Sequence, residues 1–152
     1  FTLKGIKTMA ITSAVCNSFK QEILEAEHNF TASSGNTFNL ALYDSDATLN
    51  KSTTVYTTSE ELATTGGYTA KGNALTSVTP VLDSDTAVCD FSNTSWTSAS
   101  FTARGCLIFN DSHASDAAVC AIDFGGDKTV TSGTFTVEFP AAAASTAIIA
   151  IA

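Results

Sequence analysis

The sequence predicts a mainly β protein: an antiparallel β-sandwich of jelly-roll or immunoglobulin-like type, led by one amphipathic α-helix near the N-terminus. Three observations carry that prediction. Residues 101–140 read as three strands in succession, and in the last of them Phe135, Val137 and Phe139 alternate with Thr134, Thr136 and Glu138. A strand sends successive side chains to opposite faces, so this period of two puts the phenylalanines in a core and the threonines in water. About eight or nine strand candidates recur along the chain at the spacing of about 8–12 residues expected of a sandwich. Finally, only residues 12–29 repeat apolar side chains at helical period.

In chain order, residues 1–11 read as an N-terminal arm and residues 12–152 as a single domain. The arm is mildly basic, and its apolar residues Phe1, Leu3 and Ile6 are candidate anchors for a partner. The helix is expected over residues 12–29. Thr12 or Ser13 can cap it, because a hydroxyl accepts a bond from an orphan N–H of the first turn. Val15, Phe19, Ile23, Ala26 and Phe30 form its apolar stripe, which reads as a core face. His28 falls at its end, where the helix dipole favours a cation.

Residues 31–36 form a polar turn around Gly35, and residues 38–43 alternate as a first good strand. Residues 44–54 are a loop, 55–56 a short extended piece, and 59–62 one helical turn. Gly66 and Gly67 break the chain. Residues 68–71 and 74–82 are extended, with Pro80 confining the latter to a sheet edge or a bend. A turn at 83–85 leads into a strand at 86–91, and a second turn at 93–95 into one at 96–101. Residues 103–110 are a dense apolar strand closed by the polar loop 111–116. Residues 118–124 follow, with Ala118, Cys120, Ile122 and Phe124 on one face. Gly125, Gly126, Asp127 and Lys128 read as a turn, lacking the spacing and following helix of a phosphate-binding loop. Pro140 ends the last alternating run, since it cannot donate to a ladder. Residues 147–151 close the chain as a strand, because their isoleucines are β-branched.

Composition narrows the function. Charged residues make up only 14% of the 152 residues, below the roughly 25% of ordinary soluble domains. Polarity comes from Thr, Ser and Asn, which suits short strands with a hydroxyl-rich outer face. The net charge of −8 would be repelled by a phosphate backbone, so nucleic acid is not expected as a partner. No apolar run approaches the roughly 18–20 residues needed to span a bilayer, so no membrane is expected either. The four cysteines, Cys16, Cys89, Cys106 and Cys120, lack CxxC spacing and a nearby histidine, which argues against zinc. Three of them lie in apolar strand candidates and read as buried thiols; a cross-strand disulfide is the alternative.

Catalytic grammar is absent. A hydrolase needs a nucleophile beside a base that is itself oriented, and the two histidines, His28 and His113, stand in no such motif. No catalytic residue, cofactor site or metal ligand set is therefore assigned. Asp44 with Asp46, and Asp83 with Asp85, have the i, i+2 spacing of calcium loops, but neither pair continues into the pattern that ends in a bidentate Glu. Tyr43, Tyr56, Tyr68 and Trp96 are candidates for a sugar-binding platform, with partial burial at sheet edges as the alternative.

The segments MAITS (9–13), NSFKQEIL (17–24), FNLALY (38–43), FTARGCLIFN (101–110) and IDFGGDK (122–128) together resemble a group of small structural proteins of tailed bacteriophages, including phages of aquatic bacteria and cyanobacteria. The similarity runs from Met9 to the C-terminus and leaves residues 1–8 outside it. It implies a virion protein with no enzymatic activity, most simply a capsid decoration or cement protein. Such a protein sits on the outer capsid surface and ties capsomers together, with the major capsid protein and copies of itself as partners. The contact residues expected are Phe1, Leu3 and Ile6 of the arm, with Asp111 and His113 of the loop 111–116 as second choices, along with the loop 44–54. A tail, neck or fibre component is the alternative within the virion. A secreted carbohydrate-binding β-sandwich is the alternative outside it.

Overall fold

The computed structural model describes residues 10–152. Over these residues the chain is mainly β, with two antiparallel sheets and one short helix. The larger sheet has the order β1 (Ala14–Val15), β7 (Ala117–Val137), β6 (Thr94–Asn110), β2 (Phe38–Tyr43) and β3 (Asn73–Ala74). The smaller is β4 (Ser77–Asp83), β5 (Thr86–Phe91) and β8 (Ile149–Ile151). Aromatic rings join them. Phe38 of β2 lies 5.8 Å from Phe91 of β5, and Phe91 lies 5.7 Å from Phe139, between ring centroids.

β2 has the bounds the alternation predicted, yet all six of its residues are buried. It runs beside β6 from Phe38 opposite Asn110 to Tyr43 opposite Gly105. Tyr43 lies inside because its hydroxyl donates to the Thr57 carbonyl at 2.7 Å. A tyrosine can be buried whole when its polar tip is satisfied.

The stretch 101–140 differs from its reading as three strands. β6 and β7 are 17 and 21 residues long and form one hairpin, against about 5–6 residues for an ordinary strand. Gly125 to Lys128 do not reverse the chain. They form a bulge inside β7, where Ala103 faces Lys128 and Gly105 faces Asp123, so β7 advances five positions against two on β6. Gly125 has φ 73°, which glycine adopts without the Cβ penalty. Arg104 spans the bulge: its Nε donates to Asp123 Oδ1 at 3.0 Å, and the Gly125 N–H donates to the same oxygen at 3.0 Å. Beyond the bulge the predicted alternation holds. Phe135, Val137 and Phe139 are half-buried, while Thr134, Thr136 and Glu138 are exposed.

The helix is shorter than expected. α1 covers Asn17–Leu24 only, its N-cap is Cys16, and no side chain caps it. Thr12 and Ser13 are extended instead. The Thr12 N–H donates to the Leu49 carbonyl at 2.8 Å, and Ser13 Oγ accepts from the Asp123 N–H at 2.9 Å. Ala14 and Val15 then pair with Ala121 and Cys120. The edge of β7 offers unpaired backbone groups here, and the β-branched residues Ile11, Thr12 and Val15 suit a strand. Past α1, Ala26 takes φ 62°, which stops the helix before His28. Of the predicted stripe, Phe19 is buried on α1, Phe30 is buried from the segment after it, and Ala26 is exposed.

Two smaller expectations also change. Residues 59–62 do not form a helical turn: Glu60 has φ 60°, and Glu61 makes an isolated bridge to Tyr43. Residues 68–71 are not a strand, since Lys71 takes φ 69° in a turn before β3. Pro80 does sit on the edge strand β4, inside a register shift between Val78 and Val81. All four cysteines are buried free thiols. Burial pushes the thiol of Cys16 up to about 11 and that of Cys89 up to about 12, because a thiolate loses its hydration inside the core.

Candidate functional site

The polar side chains converge at the closed end of the β6–β7 hairpin. β6 ends in Asn110, whose side chain is fully buried, and the loop 111–116 carries the candidate residues Asp111 and His113. Three groups meet around this loop.

The first is built on His28, whose side chain is fully enclosed. Its Nε2 lies 2.8 Å from Glu22 Oε2, and its Nδ1 lies 3.0 Å from Asn110 Nδ2. Asn110 Nδ2 also donates to the Glu27 carbonyl at 3.3 Å, and Asn110 Oδ1 accepts from the Ser112 N–H at 3.1 Å. The ring packs among Phe19, Phe30 and Phe38. His28 is thus an enclosed hydrogen-bonding residue four positions beyond the end of α1 and does not cap the helix.

The second group is a clamp. Lys71 Nζ lies 2.7 Å from Asp111 Oδ1 and 2.9 Å from Asp116 Oδ2, bridging the two ends of the loop. The same ammonium lies 5.6 Å from the centre of the Tyr56 ring and 5.8 Å from that of Phe109. Asp111 first and Asp116 second hold the ammonium above its ordinary value. With 42% of the lysine side chain exposed, solvent screens the pair and its net contribution is small.

The third group lies beneath the clamp. Glu61 accepts from the hydroxyls of Tyr56 and Tyr68 and, at 2.6 Å, from the Lys71 N–H. Tyr68 in turn accepts from the Leu42 N–H at 3.0 Å. Burial, then the Glu61 carboxylate, raises both phenols above their ordinary value. These are positioning contacts that fix the segment 56–71 against β2 and β6.

His113 makes two kinds of contact. Its Nδ1 lies 2.9 Å from Ser115 Oγ and accepts from the Ser115 N–H at 3.3 Å. Its Nε2 lies 3.7 Å from Glu27 Oε2, beyond hydrogen-bond length. A serine, a histidine and a glutamate therefore lie in a row, but the serine is two residues from the histidine in an exposed turn and Nδ1 is occupied by a backbone N–H. The arrangement holds the loop's shape.

Elsewhere, carboxylate oxygens of Asp44, Asp46 and Glu60 lie within 4.8 Å of one another. Asp44 Oδ1 accepts from the Asp46 N–H at 2.8 Å, so this oxygen also fixes the turn. Asp83 is separate: its Oδ2 accepts from the Ala144 N–H at 2.7 Å. The sugar platform does not assemble, because Tyr43, Tyr68 and Trp96 are buried. Among the described residues no helix is long and apolar enough to cross a membrane.

Apolar surface is concentrated elsewhere. Leu24 of α1 is 88% exposed, Leu82 of β4 74% and Ile151 of β8 53%. Leu82 pairs with Ala87, and Ala87 with Ile151, so these three form one row across the smaller sheet. A groove of about 330 Å³ beside that row is lined by Ile23, Leu24, Ile149 and Ile151. A second groove, of about 450 Å³, runs between Phe124, Phe135, Val137, Phe139 and Ile148.

Of the residues singled out by sequence, Asp111 and His113 lie in one loop, Asp111 tied to Lys71 and His113 to Ser115. Phe1, Leu3 and Ile6 lie outside the described residues. Sequence reasoning missed Lys71, Glu61 and Asn110. Their only advance signal was a polar residue next to an apolar run, as in the Asn that ends FTARGCLIFN. Comparison with family models, with curated proteins and with solved structures finds no match to this chain.

Proposed function

We propose that this chain is a structural protein of a bacteriophage virion, a capsid decoration or cement protein that binds the outer capsid surface and stabilises contacts between capsomers. One observation carries the reading. Three segments that resemble phage structural proteins, FNLALY, FTARGCLIFN and IDFGGDK, fall on β2, β6 and β7, which are adjacent strands at the centre of the larger sheet. The resemblance thus sits in the rigid body of the domain. A decorating protein needs such a body, with contact surfaces at its periphery where apolar anchors are ringed by polar groups.

Here those surfaces are the arm with Phe1, Leu3 and Ile6, the loop with Asp111 and His113, and the aliphatic row of Leu82, Ala87 and Ile151. The partners are the major capsid protein and further copies of this chain. The test is stoichiometry on purified particles. A copy number matching that of the capsid subunit supports decoration; one matching a single vertex or tail ring moves the protein to the tail, neck or fibre. Deleting residues 1–8 is expected to lower occupancy on particles, and unchanged occupancy removes the arm from the contact.

A further inference from the structure

We infer that His28 is a proton-operated latch joining the segment after α1 to the loop of the β6–β7 hairpin. The ring's hydrogen-bond partners dictate its tautomer. Asn110 Oδ1 is committed to the Ser112 N–H, so Asn110 must present its amide NH2 to the ring and to the Glu27 carbonyl. An NH2 only donates. His28 Nδ1 is therefore an acceptor, and the single ring proton sits on Nε2, donated to Glu22. In this neutral form every side-chain nitrogen and oxygen of His28 and Asn110 has a partner.

Protonation breaks the arrangement at one defined place. A second proton on Nδ1 would face the Asn110 amide, donor against donor. Turning that amide over presents Oδ1 to the ring, but then Nδ2 faces the Ser112 N–H and Oδ1 faces the Glu27 carbonyl. Either geometry unties the Asn110 junction between the segment after α1 and the hairpin loop. Leaving a buried polar group unmatched destabilises the junction that it faces. The titratable groups facing the ring are Glu22 on α1 and His113 on the loop, stacked at 6.3 Å, with Glu27 3.7 Å from His113. The remaining neighbours Phe19, Phe30 and Phe38 carry no charge. The loop that is released carries Asp111, whose N–H donates to the Thr37 carbonyl at 2.9 Å, and Ser112, whose Oγ accepts from the Thr37 N–H at 2.8 Å. The inference stands on this geometry and is independent of the virion reading.

The experiment is NMR on the 15N-labelled full chain. Long-range ring correlations near neutral pH are expected to show the Nε2–H tautomer for His28. The protection factor of the Ser112 amide, followed through the range of about pH 8 to 5 where histidines titrate, is expected to fall about five- to tenfold in step with the His28 ring, as loss of one hydrogen bond implies. The Leu107 amide in β6 should keep its protection. In Asn110→Asp the new carboxylate accepts from a protonated ring and from Ser112 alike, so the coupled fall should vanish. Ser112 protection that stays constant while His28 titrates overturns the latch. So does an Nδ1–H tautomer, and so does a ring that stays neutral down to acid unfolding.

Discussion

Phe30 lies flat against Phe38, with ring centroids 4.2 Å apart and planes 5° from parallel. Phe30 comes from the segment after α1 and Phe38 opens β2, so the stack fastens the N-terminal region to the larger sheet. Both rings are buried. Truncating Phe38 to alanine is expected to lower stability by about 3–5 kcal/mol, with Phe38→Leu less severe because it retains volume. Urea unfolding followed by tryptophan fluorescence measures both, and a loss under about 1 kcal/mol for the alanine variant would contradict the packing described.

Two glycines with similar φ should respond unequally to alanine. Gly72 has φ 66°, and a Cβ there would stand 1.8 Å from the Leu40 carbonyl oxygen, a fixed atom of β2. Gly125 has φ 73° with open space around it. Gly125→Ala is expected to cost only the left-handed backbone penalty, about 1–2 kcal/mol. Gly72→Ala adds a clash with backbone and should cost more than about 3 kcal/mol or prevent folding. Equal melting temperatures for the two variants would contradict the close approach of Gly72 to β2.

Asp90 should make the protein's stability depend on pH in an uncommon direction. Its side chain is buried on β5, Oδ1 accepts from the Phe91 N–H at 2.8 Å, and Oδ2 has no partner within hydrogen-bond geometry among the described residues. Burial raises its pKa above the ordinary 3.8, with the Phe91 and Ile148 N–H groups opposing. The folded state therefore binds this proton more tightly than the unfolded state. Its contribution is fully present below the ordinary value and is lost as pH rises through the raised one. Asp90→Asn is expected to remove that fall and to stabilise the protein near neutral pH by about 1 kcal/mol. Chemical denaturation of both proteins across the acid range tests it; parallel curves would refute it.

Arg104 and Asp123 give the opposite sign. Arg104, followed by the Gly125 N–H, holds the Asp123 carboxyl below its ordinary value. Such a group contributes stability above the ordinary value and loses it as pH falls through the lowered one. In Arg104→Gln the Asp123 carboxyl carbon should titrate at higher pH by NMR. An unmoved titration would show that Arg104 does not strap the bulge in solution.

The four thiols should be inert in the native state. All are buried, and raised pKa values leave little thiolate to react; reactivity follows the thiolate. A chromogenic disulfide reagent near pH 8 is expected to label them only at the rate of unfolding. Rapid labelling of any one would contradict its enclosure.

What could be read from sequence divides by interaction range. β2, β5, the edge position of Pro80 and the alternation of Phe135 and Val137 were legible, because period and turn chemistry are local properties. The helix is shorter than its apolar stripe predicts. Val15, Phe19 and Phe30 do share a buried face of the domain, but a strand, a helix and a loop reach it in turn, and only the open edge of β7 decides that Val15 is strand. The pair Gly125 and Gly126 signals a left-handed backbone, which a bulge and a turn both need; the difference lies in whether β6 continues opposite. Lys71 was invisible as a site because its partners, Asp111 and Asp116, are brought to it by the pairing of β2 with β6.

The β6–β7 hairpin also grades the entropic cost of its own closure along its length. Its pairs begin seven residues apart, at Asn110 with Ala117, and end 43 apart, at Thr94 with Val137. Closure entropy grows with separation, so pairing that starts at the loop proceeds by small increments toward the far end. Lys71 and His28 reach the loop from distant sequence, so their contacts close longer loops than the pairs nearest the turn. The Trp96, Phe101 and Phe135 cluster, with Phe101 and Phe135 5.2 Å apart, lies toward the far end of the hairpin, where the closure entropy of its pairs is greatest.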